Sequence, residues 1–118
     1  ESYPALNTAA GIKRLLAERG ALELRQYAGD YDAVLMLIDL QTAISAAKLT
    51  DRQSEALRLV YTQDLTQEDA ARQAGVDKSV MSRRLEKATE KIADVYEYWG
   101  WHGEGYVRSE ITEVDADV

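Results

Sequence analysis

Residues Thr66–Leu85 read TQEDAARQAGVDKSVMSRRL, and the order of residue types in that stretch decides the fold. Thr66 is a strong helix N-cap, and Glu68 and Asp69 follow in the first turn, where the helix dipole favours acids. Ala70 and Ala71 keep that helix thin, so a second helix can cross it closely. Gly75 tolerates the positive φ of a tight turn, and Val76 is placed to plug the gap between the two helices. Asp77 restarts the chain as a second N-cap. The reading is a short helix ending by Gln73, a turn, and a long helix from Lys78 that extends unbroken to Trp99.

The faces of the second helix separate cleanly. Met81, Leu85, Ala88, Ile92, Val95 and Trp99 step by four, three, four, three and four residues. That spacing makes a continuous apolar stripe, directed at a core. Lys78, Ser79, Ser82, Arg83 and Glu86 lie on the other side, at the N-terminal end, where a recognition helix presents itself to the major groove. Arg83 has the fork that bridges guanine O6 and N7, and Glu86 could accept from a cytosine amine. Arg84, Lys87 and Lys91 are assigned to phosphates, which position a protein without reading sequence. Lys87 and Lys91 have a competing explanation as a solvated helix face paired with Glu86 or Glu90.

Upstream, the composition favours helix throughout. Thr8 to Arg19 reads as a short helix with Ile12, Leu15 and Leu16 as its apolar stripe and Gly20 as its stop. Ala21 to Tyr27 leans helical. Gly29-Asp30 is a break, and Tyr31 to about Lys48 reads as the central buried helix, with Val34, Leu37, Ile38 and Ile44 on one face, widened by Ala33 and Leu40. Thr50-Asp51-Arg52-Gln53 matches a capping box and opens a helix to about Tyr61, burying Ala56, Leu57, Val60 and Tyr61. The expected fold class is all-α: a helical bundle with a helix-turn-helix and an acidic, mobile C-terminal tail. Residues 1–49 are expected to pack and oligomerise, 50–99 to form the DNA-binding domain, and 100–118 to be the tail.

From Leu49 to about Ile92 the chain resembles the C-terminal promoter-recognition domain of bacterial sigma factors, the part that reads the −35 element. It also resembles small phage regulators with a sigma-factor-like helix-turn-helix. The resemblance rests on LTDRQSEALRLVY (49–61), DLTQEDAARQAGV (64–76) and DKSVMSRRLEKATEKI (77–92), and spans 44 of 118 residues. It implies that the lead-in helix braces the motif and that the neighbourhood of Ser82, Arg83 and Arg84 faces DNA. The chain departs from the family twice. Its 118 residues are not expected to hold the sigma-factor domains that bind core polymerase strongly and melt DNA, and Arg84 stands where an apolar residue is common, which would put its side chain at the domain edge.

A net charge of −7 runs against DNA binding, but its distribution matters more than its sum. Residues 66–93 carry six bases and five acids, whereas residues 94–118 carry one base and seven acids. Attraction to phosphate follows the local field at the binding face. The tail from Glu104 to Val118 is a solvating extension, or a strap that docks on the protein's own basic face or recruits a protein partner.

Other classes are excluded residue by residue. There is no cysteine, so disulfides and thiolate metal sites are out. His102 is the only histidine, and Glu104 is a poor companion for it as a metal ligand. No nucleophile–base constellation or phosphate loop is present, so neither catalysis nor a cofactor is expected. No apolar run approaches ~20 residues, which excludes a membrane span. Glu1 onward lacks a basic start and an apolar stretch, so no secretory signal is expected. Tyr96, Tyr98, Trp99, Trp101 and Tyr106 cluster before the tail, to pack the helix end on the N-terminal helices or to form an interface.

The function expected is a sequence-specific transcription regulator of phage or bacterial origin, acting in the cytoplasm at the nucleoid. Its partners would be double-stranded DNA and RNA polymerase, and it would work as a homodimer or higher oligomer spanning half-sites ~34 Å apart. Two alternatives stand beside it. One is a phage small terminase subunit for DNA packaging; the other is a protein that binds polymerase or a sigma factor without DNA.

Overall fold

The computed structural model describes residues 5–102. Six α-helices follow one another: α1 Ala9–Ala17, α2 Arg19–Tyr27, α3 Tyr31–Ala46, α4 Asp51–Leu57, α5 Gln67–Ala74 and α6 Lys78–His102. A π-helical turn, Arg58–Thr62, continues α4. No strand occurs among the described residues, and the all-α expectation holds. Positions 100–102, expected to open the tail, continue α6 instead; the rest of the expected tail, from Gly103 onward with Tyr106, and the side chain of His102 lie outside the described residues.

Caps set most boundaries. The hydroxyl of Thr8 accepts from the Gly11 amide at 3.1 Å, the Asp30 carboxylate accepts from Ala33 at 3.2 Å, and the Thr66 hydroxyl accepts from Asp69 at 3.1 Å. Each satisfies an amide that the helix itself leaves orphaned. The α4 box is complete: the Thr50 hydroxyl accepts from the Gln53 amide, and the Gln53 side chain accepts from the Thr50 amide. Gly29 closes α2 at φ +94° and Gly75 closes α5 at φ +75°.

The break between the first two helices falls at Glu18, one residue before Arg19, so Gly20 sits inside α2 rather than ending α1. Glu18 leaves helical geometry at φ −98° and ψ 8°, while its amide still bonds back into α1. This one-residue bend turns Leu22 into the core.

The central element is α6, not α3. Helices α1, α3, α4 and α5 all pack on α6, and α2 packs on α3. The whole predicted stripe from Met81 to Trp99 is buried, together with Ile12, Leu15 and Leu16 of α1 and Leu57 and Leu59 before the helix-turn-helix. Helix α3 buries only Ala33, Leu40 and Ala43. Ile38, expected in its buried face, is exposed, and Val34, Leu37 and Ile44 are half-buried. The physical reason is packing order: the 25-residue α6 takes the middle, and α3 offers it one narrow stripe. Residues on both sides of position 50 share one hydrophobic core.

Candidate nucleic-acid interface

The turn that aims α6 is built from backbone bonds. Gly75 is left-handed at φ 75° and ψ 31°, and the Val76 amide donates back to the Ala71 carbonyl at 2.9 Å. That six-to-one bond closes α5 in a Schellman-type cap. Two residues later the Asp77 carbonyl accepts from Val80 and Met81, both at 3.0 Å, which opens α6. Ala70 and Ala71 are buried at the crossing of α5 over α6, and Val76 is half-buried beside it.

This geometry leaves one side of the first turns of α6 in solvent. Lys78, Ser79, Ser82, Arg83 and Lys87 are all exposed, opposite buried Met81, Leu85 and Ala88. Lys78 lies 3.8 Å from Glu68 of α5, with both side chains largely in water. A pair of that kind is worth at most about 1 kcal/mol and leaves the ammonium available to a stronger anion.

Three of the residues expected on this face are engaged elsewhere. Arg84 is 5% exposed, so it does not join the outward face. Lys91 donates to the Gln53 side-chain oxygen at 2.9 Å and lies 3.5 Å from the Lys48 carbonyl, so its ammonium ties α6 to the start of α4. Burial sets Arg84 apart from the phosphate-contacting set expected of it, and Lys91, half-buried, has its ammonium on Gln53. A signal for this packing was present: Arg84, Ala88, Lys91 and Val95 step by four, three and four, the same rhythm as the core stripe.

Glu86 is the third. Its carboxylate accepts from Lys13 of α1 at 2.6 Å. That hydrogen bond holds the Glu86 carboxyl below its ordinary value of 4.5, against a smaller opposing effect of burial. Glu86 therefore braces α1 against α6 through Oε1, and its side chain stays 46% exposed.

The far end of α6 is held in a similar way. Glu97 accepts from Asn7 at 2.6 Å and from the Trp101 indole at 3.0 Å. These bonds lower the Glu97 carboxyl below its ordinary value, Asn7 contributing most. The aromatic cluster divides. Trp99 is buried with Tyr96 edge-on to it, ring centroids 5.1 Å apart, whereas Trp101 is exposed.

Thr89, buried on α6, is satisfied locally. The Thr89 hydroxyl donates to the Leu85 carbonyl at 2.9 Å, with the Glu86 carbonyl at 3.0 Å. Among the described residues no cluster of three metal-ligating side chains occurs, and no helix is long and apolar enough to cross a membrane. What the arrangement offers chemically is a rigid helix with two hydroxyls, one guanidinium and two ammonium groups outward. It is suited to binding a polyanion.

No curated protein and no solved structure matches the chain. Residues 18–97, from the start of α2 to near the end of α6, match the family model described as "Protein of unknown function DUF134", and the chain belongs to that family.

Proposed function

We propose that this protein binds duplex DNA by laying the first two turns of α6 in the major groove, and that it regulates transcription there. One observation carries the reading: Lys78, Ser79, Ser82, Arg83 and Lys87 form an exposed polar and basic face behind a glycine turn, on a helix whose opposite face is core. A major groove ~12 Å wide admits a helix in this orientation. Arg83 reads a guanine edge, Ser79 and Ser82 make short contacts to bases or backbone, and Lys78 and Lys87 meet phosphates. The likeness of residues 49–92 to the promoter-reading domain of sigma factors supports the same face and adds RNA polymerase as a second partner. The setting would be the bacterial cytoplasm, at the nucleoid.

The net charge of −7 favours a second reading, a protein that binds polymerase or a sigma factor and no DNA. Selection of bound duplexes from a random library, at stated salt, separates the two. An enriched motif that Arg83→Ala binds ~10- to 100-fold less tightly supports DNA reading. Absence of enrichment, or equal binding by Arg83→Ala and Lys87→Ala, overturns it.

A further inference from the structure

The α2–α3 hairpin carries apolar side chains that the fold leaves in water. Tyr27 is 93% exposed, Leu24 73%, Tyr31 71%, Ile38 53% and Leu35 43%. Leu24 and Tyr27 are three residues apart on α2; Tyr31, Leu35 and Ile38 sit at i, i+4 and i+7 on α3. Tyr27 and Tyr31 flank the Gly29 turn, so the two stripes meet around it. On α3 this stripe points away from the buried residues Ala33, Leu40 and Ala43. A patch of this size on an isolated soluble chain marks an interaction surface.

We propose that this face pairs with the same face of a second copy, giving a two-fold dimer built as a four-helix bundle. Area selects a copy of the chain as the occupant, and charge argues against a polyanion. Two nearly free tyrosines and three aliphatic side chains offer on the order of 600 Å² per copy, and rim residues such as Glu23 and Asp32 raise this towards the ~800 Å² of a standard interface. The hairpin's own bases are already neutralised: Arg19 lies 3.4 Å from Glu23 and Arg25 lies 2.9 Å from Asp30. Glu23 and Asp30 thereby take up both bases of the hairpin, and Asp32 keeps its charge at the rim, where water and salt screen it between two copies. With both bases occupied, the face gives no hold to an acidic segment such as residues 104–118, or to a nucleic acid.

The pairing does not depend on DNA binding. It leaves the exposed face of α6 free on each copy, so a dimer that also reads DNA carries two recognition helices and would favour a palindromic site.

Sedimentation of the full chain without DNA, at about 50 µM and below, tests the pairing. Two copies are expected for the wild type. Leu35→Glu combined with Ile38→Glu should raise the dimer dissociation constant at least ~100-fold, while Trp101→Glu, exposed at the far end of α6, should leave it unchanged. Helical circular dichroism checks that each variant is folded. If the glutamate pair loses helicity, Tyr27→Ser with Tyr31→Ser, confined to the most exposed rings, gives the same reading. A wild-type chain that stays single at about 50 µM overturns the proposal, as does a ring of about eight or more copies. So does a dimer that survives the hairpin variants or is lost on Trp101→Glu.

Discussion

Lys91 and Gln53, 38 residues apart in the chain, meet across 2.9 Å, and the oxygen that receives the Lys91 ammonium is the one that also caps α4 by accepting from the Thr50 amide at 3.0 Å. Gln53 is fully buried. A single side-chain oxygen thus ends the α3–α4 connection and fastens it to the central helix. Replacing Gln53 with Leu keeps the volume and removes the acceptor, leaving a helix-start amide and an ammonium without it. Chemical denaturation should show a loss of ~1–3 kcal/mol. Lys91→Ala should likewise lower the unfolding midpoint while leaving DNA affinity and its salt dependence close to wild type. A Lys91→Ala variant as stable as wild type but with a flatter salt slope would return Lys91 to the phosphate-contacting set.

Gly75 is held at φ +75° with open space around it: a methyl group there would meet nothing within 4 Å. Its requirement is conformational alone. Gly75→Ala should destabilise the fold by ~1–2 kcal/mol, the cost of a left-handed L-residue. The opposite effect is expected at Lys48 and Asp64, which are non-glycine residues at φ 56° and φ 60°. Asp64→Gly relieves that strain and should raise the melting temperature, offset in part by the freer unfolded chain. Thermal unfolding of the two variants beside wild type reads both signs. A neutral Gly75→Ala would mean that the turn relaxes out of its left-handed form.

What could be read from the chain was what local chemistry specifies. The caps at Thr8, Asp30, Thr50 and Thr66, the Gly75 turn and the α6 core stripe all depend on neighbours within a few residues. The span of α3 is legible in the same way, but its buried side is not, for the converse reason. Val34-Leu35-Met36-Leu37-Ile38 is apolar on every side, so periodicity does not say which side is buried; the position of α6 decides it. Leu35 and Ile38 are left outside by that decision. Arg84 and Lys91 have the charge of phosphate contacts but the spacing of the core stripe. The Lys13–Glu86 and Lys91–Gln53 links join distant segments and have no local signature.

Three carboxylates are held below their ordinary values by bonds to the folded structure. Asp30 is lowered chiefly by Arg25, Glu86 by Lys13 and Glu97 by Asn7. A lowered carboxyl contributes stability that is present above its unfolded value and is lost as pH falls through the folded one. Stability should therefore be flat around neutrality and decline in the acid range below the ordinary 3.8 of Asp and 4.5 of Glu. Glu86→Gln should be less stable than wild type at neutral pH, and the gap should close in acid, where the wild-type carboxyl takes up its proton. Urea midpoints across that range measure the gap, and a gap that stays constant would mean the Lys13 pair contributes nothing.

Salt dependence distinguishes phosphate contacts from base contacts on the α6 face. Lys87 is exposed at the edge of that face, one turn beyond Arg83. Lys87→Ala should weaken every duplex to a similar degree and reduce the slope of log affinity against log salt by about 1. Binding isotherms at several salt concentrations, on selected and scrambled duplexes, carry this comparison. A loss confined to the selected sequence would make Lys87 a reader of bases.

Arg83 and Arg84 are neighbours with opposite surroundings, one exposed and one buried, and substitution should separate their roles completely. Arg83→Ala removes a side chain from solvent and should change stability by no more than about 0.5 kcal/mol, while costing ~1–3 kcal/mol against the best DNA site. Arg84→Ala removes a buried stem and head that pack against the core and should lower stability by ~2 kcal/mol or more. Its effect on DNA binding should vanish once measurements are made where the variant is fully folded. Denaturation curves and binding isotherms on the same two preparations give all four values. If Arg84→Ala is stable and fails to bind, the outward face of α6 is rotated relative to the one described, and Arg84 belongs to it.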